Sequence, residues 1–275
     1  MSQPLGSRPA VLLAPALALL LGLAAGSGPR VAQADAPPTF AELTAAYEAA
    51  DKRNDVETRV TLLPRLCTLA AEATYDEKDD TGRRRVQGDR RQAHSLCRKA
   101  IVHPQRALIL AGLEGYGILA LPGSSDDLKN HAGRQAGERR PQEVRLAAIG
   151  AWGRIHDPGT HVLLIDHLRL ASRLPEAAER ALAAVEALQH FRHGPRGLKR
   201  FELLRDVMLL FEALRNASGI NTGFVASADS THWYALLEAR LVVLFNVLTE
   251  ESALSYPQAL SWWRANRHAV KAGRR

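Results

Sequence analysis

The chain has 275 residues, of which 46% are hydrophobic and 24% are charged, with 36 Lys and Arg against 29 Asp and Glu. The net charge of +7 is modest, and no recognition motif or basic strand interleaved with aromatic residues accompanies it, which argues against a nucleic-acid-binding protein. The two cysteines, Cys67 and Cys97, form no C-x-x-C motif, which excludes the common dithiol redox motif and the tetrathiolate metal site.

The first 34 residues have the pattern of a secretory signal peptide. A short positive start with Arg8 precedes an apolar run that ends at Ala25, and residues 32–34 (AQA) match a cleavage site. An uncleaved anchor is the alternative, although the apolar run is slightly short for a spanning helix and contains Pro15. We therefore expect an exported mature chain, 35–275, that is periplasmic or secreted and has no membrane span.

An exported protein with two cysteines first predicts a disulfide, here between Cys67 and Cys97. Such a bond would close about 30 residues and contribute roughly 3–4 kcal/mol on the loop-entropy model. The alternative is a pair of buried thiols that act as small apolar side chains.

The stretch 35–102 is predicted to be an N-terminal helical region, because its apolar residues recur with the 3.6-residue period. Thr39 with Glu42 three residues later is a capping box that opens the first helix. Asn54 with Glu57 predicts a second box at the start of the next helix.

A proline and a charge run are expected to interrupt this region. Pro64 should kink or break the second helix. Residues 76–85 predict a charged loop with an acidic first half and a basic second half. Its run 83–85, with Arg90 and Arg91, could contact an anionic glycan or an acidic protein, whereas a solvated loop neutralised by its own acids is the plainer interpretation.

Three segments then recur at a spacing of 36 residues: 110–117 (LAGLEGYG), 146–153 (LAAIGAWG) and 182–188 (LAAVEAL). A fixed period of this size is typical of a solenoid, in which each unit is too small to bury its own apolar side and stacks on the next unit. The region 103–217 is therefore predicted to be three helix–turn–helix units of an all-α solenoid.

The units share the residues that begin their helices and form their turns. Pro104, Pro141 and Pro175 each stand at the start of a leading helix, where the missing N–H costs nothing. In the second unit, residues 157–159 (DPG) predict the turn, and Thr160 predicts the cap of the helix that follows.

The second unit resembles a known repeat. Its segment 143–159, EVRLAAIGAWGRIHDPG, is similar to a HEAT repeat of the phycobilisome-lyase-like type, with an Ala- and Gly-rich first helix and an Asp-Pro turn. The similarity is clearest for 141–171, weaker for 104–136 and weakest for 175–215. It implies an α-solenoid that binds other proteins, and it carries no catalytic residue or chromophore to this chain.

The tail, 218–275, is predicted to be a C-terminal helical cap with helices over 230–251 and 256–271. Trp262 and Trp263 lie in the last helix among basic residues. We expect them to close the end of the stack, whereas an exposed pair would be a binding anchor.

The predicted function is binding. No linked nucleophile, base or metal set is found, so we predict a protein that is not an enzyme and needs no cofactor. We expect it to bind a protein partner, and its positive charge favours an acidic one. The alternative is a protein that binds a cell-envelope glycan or assists an enzyme. The face lined by the second helices should contact the partner through Lys129, Asn130, Arg134, His161, Asp166, His167, Lys199, Arg200 and Arg205.

The core of the second unit is predicted from its helical spacing. Leu146, Ile149 and Trp152 stand three residues apart, close to one side of a helix, and should be buried between units.

Overall fold

The computed structural model describes residues 37–132, 140–155, 157, 159–169, 177–193, 198–217, 228–252 and 254–274. Within these residues all regular structure is helical and the helices pack against their neighbours, which confirms the all-α prediction. From residue 38 onward they belong to one structural unit, Pro38–Arg275, while the predicted signal peptide lies outside the described residues. The α-helices are α1 (Phe40–Lys52), α2 (Val56–Glu72), α3 (Asp80–Ile101), α4 (Arg106–Leu119), α5 (Lys129–Ala132), α6 (Gln142–Ile155), α7 (Thr160–Arg169), α8 (Ala178–Gln189), α9 (Leu198–Ala217), α10 (Ala228–Thr249) and α11 (Tyr256–Lys271).

The first two helices begin at side-chain caps. Thr39 and Glu42 form the predicted capping box at the start of α1. The prediction for α2 is wrong by one residue: Asp55 is the N-cap and its carboxylate accepts hydrogen bonds from the backbone and hydroxyl of Thr58. Asn54 instead has a φ of 55°, because it turns the chain between the two helices and asparagine tolerates that conformation.

Two predicted interruptions of the N-terminal region differ from the structure. Pro64 does not end α2, which continues through it to Glu72, so of the predicted kink or break the break is wrong. The predicted loop 76–85 is helical from Asp80 onward, because Asp79 caps α3 by accepting hydrogen bonds from the next backbone N–H groups, Thr81 and Gly82. The basic half of the charge run therefore belongs to an exposed helix side.

The helices pack in the order of the chain. The α4 helix contacts α2, α3 and α6, and α6 contacts α8, which in turn contacts α10. The intervening helices pack beside this row, with α5 and α7 against α6 and α9 against α10 and α11. The second helix of the first unit begins as a 3-10 helix, Ser125–Leu128, before α5.

The 36-residue repeat has a counterpart in burial. Leu113 is buried on α4, and its equivalents Ile149 and Val185 are buried on α6 and α8. Tyr116, Trp152 and Leu188, three residues further along each helix, are all fully buried as well. The core prediction was right for Ile149 and Trp152.

It was wrong for Leu146, which is only half-buried. This side chain lines an open groove between α6 and α8 together with Leu182, its equivalent one repeat later. The groove keeps the two leucines partly in solvent, which the periodic pattern alone does not reveal.

Small residues let α6 and α8 approach closely. A Cβ built on Gly153 would lie 2.6 Å from both the Cα and the carbonyl oxygen of Ala187. Because these are backbone atoms, no side-chain rotation could make room for a larger residue. Gly150, one turn earlier, has open space where a Cβ would lie.

Candidate binding surface and buried polar clusters

The predicted binding residues separate by exposure. Lys129 and Asn130 are exposed on α5, and Arg205 is exposed on α9, as a contact surface requires. Asp166 on α7 is half-buried. Arg134 lies outside the described residues, and so does the side chain of Lys199.

The remaining three residues are structural. His161 and His167 are buried, with 5% and 3% of their surface exposed, so they do not belong to a contact surface. The periodic pattern placed them on the helix without showing that Phe191 packs on His161 and that Trp152 of α6 lies beside His167. Arg200 is half-buried and donates a hydrogen bond to the carbonyl of Leu248 at the end of α10.

Charges on the exposed part of this face are paired. Lys129 lies 2.8 Å from Asp126, and Arg205 lies 3.0 Å from Asp206. Arg169 bridges two helices, with Asp166 at 2.9 Å on its own helix and Asp206 at 3.7 Å on α9. The face thus presents alternating signs rather than a positive field, which weakens the expectation of an acidic partner.

Two histidines one repeat apart are buried against the central unit. His131 and His167 are 1% and 3% exposed, and the Nδ1 atom of each is buried without a hydrogen bond among the described residues. Burial lowers the pKa of both rings, and a hydrogen bond to the backbone of Ala132 partly offsets this for His167. The His167 ring lies 6.2 Å from the ring of Trp152, between centroids.

Asp157 links two successive turns. Its carboxylate is 5% exposed and accepts hydrogen bonds from the backbone N–H groups of Gly123 and Ser125, at 2.5 and 3.0 Å. Trp152 adds a third link, because its indole N–H donates to the carbonyl of Ser125 at 2.9 Å. The turn after α4 is therefore completed by residues from the end of α6.

A second polar cluster joins α3 and α4 to the 3-10 helix. The Tyr116 hydroxyl donates to the Asp127 carboxylate at 2.7 Å, and the His94 ring lies edge-on to Tyr116 with Nε2 3.6 Å from the same carboxylate. Burial, followed by the hydrogen bond to Asp127, raises the pKa of Tyr116, and burial lowers the pKa of His94. Sequence analysis missed this cluster because its members come from three separate segments. Its only sequence signal is the repeat match of Tyr116 with Trp152.

The groove between α6 and α8 has a volume of about 460 Å³. Its apolar floor contains Leu146, Leu182 and Ala183, and its rim carries both signs of charge. The rim residues are Arg154, Glu179, Glu186 and His190.

Cys67 and Cys97 lie side by side in the interior. Their sulfur atoms are 3.3 Å apart and both thiols are free, so the predicted disulfide, whose bond would be about 2.05 Å, is not formed in this structure. A hydrogen bond with Cys67, together with burial, raises the pKa of the Cys97 thiol. Gly115 on α4 makes room for the pair, since a Cβ there would lie 2.5 and 2.8 Å from the two sulfurs.

The tryptophans of α11 pack against other helices. Trp262 lies edge-on to Phe245 at 5.5 Å between ring centroids and donates to the Glu251 carboxylate. Trp263 packs on Phe201 at 5.4 Å. Both are half-buried, which agrees with closing the end of the helix row more than with an exposed anchor.

No protein-family model, curated protein or solved structure matches the chain. The similarity of 143–159 to a HEAT repeat therefore remains a prediction from the residues. In the described part of the chain, no helix is long and apolar enough to cross a membrane. The same residues contain no group of three His, Cys, Asp or Glu side chains that could hold a metal ion.

Proposed function

We propose that the protein is an exported, non-catalytic α-solenoid that binds a protein partner as a scaffold or adaptor. The observation that carries the proposal is the agreement between repeat and burial: residues 36 positions apart are buried alike on α4, α6 and α8. Helices that share a core in this way form units that stack on one another, and stacked units usually provide an extended contact surface. Export is supported by the signal-peptide pattern alone.

The proposed contact surface lies on α5, α7 and α9, the second helices of the three units. Its polar members are Lys129, Asn130, Asp166 and Arg205, to which Arg169 is now added. Apolar contacts come from Val162 on α7 and Leu209 on α9, whose exposed fractions of 46% and 55% are high for large hydrophobic residues. A surface with apolar side chains among charges of both signs suits a protein better than a simple polyanion.

Site-specific photo-crosslinking in the native host tests the proposal. A photoreactive residue is placed at Asn130, Val162 or Leu209 on the second helices, and at the exposed Glu114 on α4 or Glu186 on α8 as controls. We expect one and the same protein to be captured from all three second-helix positions and from neither control.

The outcomes separate the alternatives. Capture from Glu186 alone would move the contact to the groove between α6 and α8. Equal capture at every position would indicate non-specific contact and would refute a defined partner surface.

A further inference from the structure

A line of exposed cations follows the solvent side of α3. Arg84, Arg91 and Arg98 recur every seven residues, which places them about 10 Å apart along the helix and within about 20° per step of the same side. Arg85 and Lys99 stand beside the two ends of this line, and all five side chains are exposed. These five residues are called the α3 basic stripe.

The other arginines of α3 have structural roles. Arg83 pairs with Asp80 at 2.7 Å. Arg90 donates hydrogen bonds to the carbonyls of Ala70, Ala71 and Ala73, at 3.0–3.2 Å, and so caps the C-terminal end of α2. Neither belongs to the stripe.

The stripe itself is largely unpaired. Within the described part of the chain, no ion pair involves Arg84, Arg85, Arg91 or Lys99, and none of them has another interaction partner there. Arg98 lies 3.5 Å from Asp127 but keeps 70% of its side chain exposed. A row of unneutralised cations is complementary to a row of anions.

The residues between the cations are polar and not aromatic. Gln87, Gln92 and Ser95 are exposed on the same side of α3 and offer amide and hydroxyl groups, and Gly88 has open space around it. Binding of single-stranded nucleic acid relies on aromatic side chains that stack on bases, and this side of α3 has none. Amides and hydroxyls instead suit the many hydroxyl groups of a sugar chain.

The shape of the stripe favours a linear ligand. The apolar side of α3, with Val86, Ala93 and Leu96, is buried in the core, so the helix has no apolar side to insert into a bilayer. A row of cations one helix wide matches the width of a single polymer chain better than the flat surface of a membrane. The planar guanidinium fork binds carboxylate and sulfate groups through two hydrogen bonds.

We propose that the α3 basic stripe binds an acidic polysaccharide, a linear sugar polymer that carries carboxylate or sulfate groups. Arg84, Arg91 and Arg98 pair with successive acidic groups, and the intervening amides and hydroxyl contact the sugar rings. The stripe shares no residue with the proposed protein-binding surface on α5, α7 and α9, so either site can exist without the other.

The test compares two triple variants of the full chain. Arg84→Gln/Arg91→Gln/Lys99→Gln removes three charges from the stripe. Arg264→Gln/Arg267→Gln/Arg274→Gln removes three exposed charges from the C-terminal end and is the matched control. Binding to immobilised polygalacturonate and to heparin is measured at several salt concentrations, with neutral dextran as the blank.

We expect the stripe variant to lose at least tenfold in affinity and to show a shallower salt dependence, because each cation that contacts the polymer releases a counterion. The control should change affinity by less than about twofold. Binding to polygalacturonate alone or heparin alone would identify the acidic group as carboxylate or sulfate.

Other results overturn the proposal. Equal losses of affinity in the two triple variants would show that binding depends on the net charge of the protein and not on the stripe. Tighter binding to single-stranded DNA or to phosphatidylglycerol vesicles than to either polysaccharide would assign the stripe to another polyanion. The double variant Arg84→Lys/Arg91→Lys keeps the charge but loses two guanidinium forks, so it should bind more weakly than the unsubstituted protein and more tightly than the stripe variant. Circular dichroism of every variant checks the fold.

Discussion

Asp157 shows how much can depend on one buried carboxylate. It holds two backbone N–H groups that lie 34 and 32 residues earlier in the chain. Hydrogen bonds to a charged group stabilise a fold by about 1.5–3 kcal/mol each, and a buried donor left without a partner costs a further amount. Asp157 therefore stabilises the turn of the preceding unit as well as the turn in which it lies.

We predict that Asp157→Ala lowers the free energy of unfolding by about 2–4 kcal/mol, since both N–H groups lose their acceptor. The measurement is urea denaturation followed by circular dichroism. Asp126→Ala is the control, because Asp126 is exposed and makes only an exposed ion pair with Lys129, which is worth about 0–1 kcal/mol. A loss for Asp157→Ala no larger than that of the control would contradict the link between turns.

Histidine burial predicts a dependence of stability on pH. The pKa values of His131 and His167 are lowered from 6.5 by burial, and Arg140 near the first and Arg145 and Arg180 near the second act in the same direction, with Asp166 opposing them. The unfolded chain then binds protons more readily than the folded chain near pH 6. Stability is retained above about pH 6.5 and is lost as the pH falls toward the lowered values.

The urea midpoint should therefore fall between pH 7 and pH 5, and the double variant His131→Gln/His167→Gln should show a smaller fall. His268→Gln, at an exposed position on α11, is the control and should keep the slope of the unsubstituted protein. A double variant with the full original slope would show that other groups cause the pH dependence.

At the scale of the elements, the contact between α6 and α8 depends on the absence of side-chain atoms. Gly153 faces the backbone of Ala187, while Gly150 on the same helix faces open space. The two glycines thus provide a matched pair in which the same added methyl group has opposite consequences.

Gly153→Ala should destabilise the protein by about 1–3 kcal/mol, because the new methyl group forces the two helices apart. Gly150→Ala should be neutral or stabilising by up to about 1 kcal/mol, since alanine is the better helix former. Thermal unfolding of both variants decides the matter. Similar effects of the two substitutions would place the α6–α8 contact elsewhere.

The helices α2 and α3 each contribute one cysteine to the interior. The thiols of Cys67 and Cys97 are close enough that a small movement would join them. We predict that protein recovered from outside the cytosol contains the disulfide, which closes a loop of about 30 residues and adds roughly 3–4 kcal/mol on the loop-entropy model.

Thiol counting under denaturing, non-reducing conditions measures this. The reduced protein is the control and should show two thiols per chain. Two free thiols in freshly isolated, unreduced protein would refute the bond and leave the cysteines as apolar core residues.

For the whole molecule, the closing role of α11 is the property to test. Phe201 and Phe245 would lose the indoles of Trp263 and Trp262 if the helix were absent. A chain that ends at Ser252 should melt at least about 5 °C lower, because exposing such aromatic contacts costs several kcal/mol. It should also self-associate in size-exclusion chromatography. Removal of residues 273–275 alone is the control. An unchanged melting temperature in the chain that ends at Ser252 would show that α11 does not close the end of the helix row.

Sequence reasoning succeeded where the signal is local. The predicted helix over 256–271 coincides with α11, and the box of Thr39 with Glu42 is present, because a capping side chain and the helical period are read within a few residues. It failed at 80–85, where a charged run on an exposed helix has the same composition as a loop.

It also could not foresee contacts between distant segments. The environment of Leu146 depends on the groove with α8, and the role of Asp157 depends on a turn more than 30 residues earlier. Burial of His161 and His167 likewise depends on which helices cover α7. These contacts are determined by how distant helices pack together, and no local sequence pattern indicates them.

The direction of the Asp157 link has a consequence for a chain that emerges N-terminus first. Gly123 and Ser125 leave the ribosome, or an export channel, more than 30 residues before the carboxylate that they bind. The turn after α4 then stays incomplete until the end of α6 and Asp157 have emerged. A pause or truncation between residues 126 and 156 leaves an unfinished surface exposed, and we expect that interval to be the stage at which nascent chains are most easily cleaved by proteases.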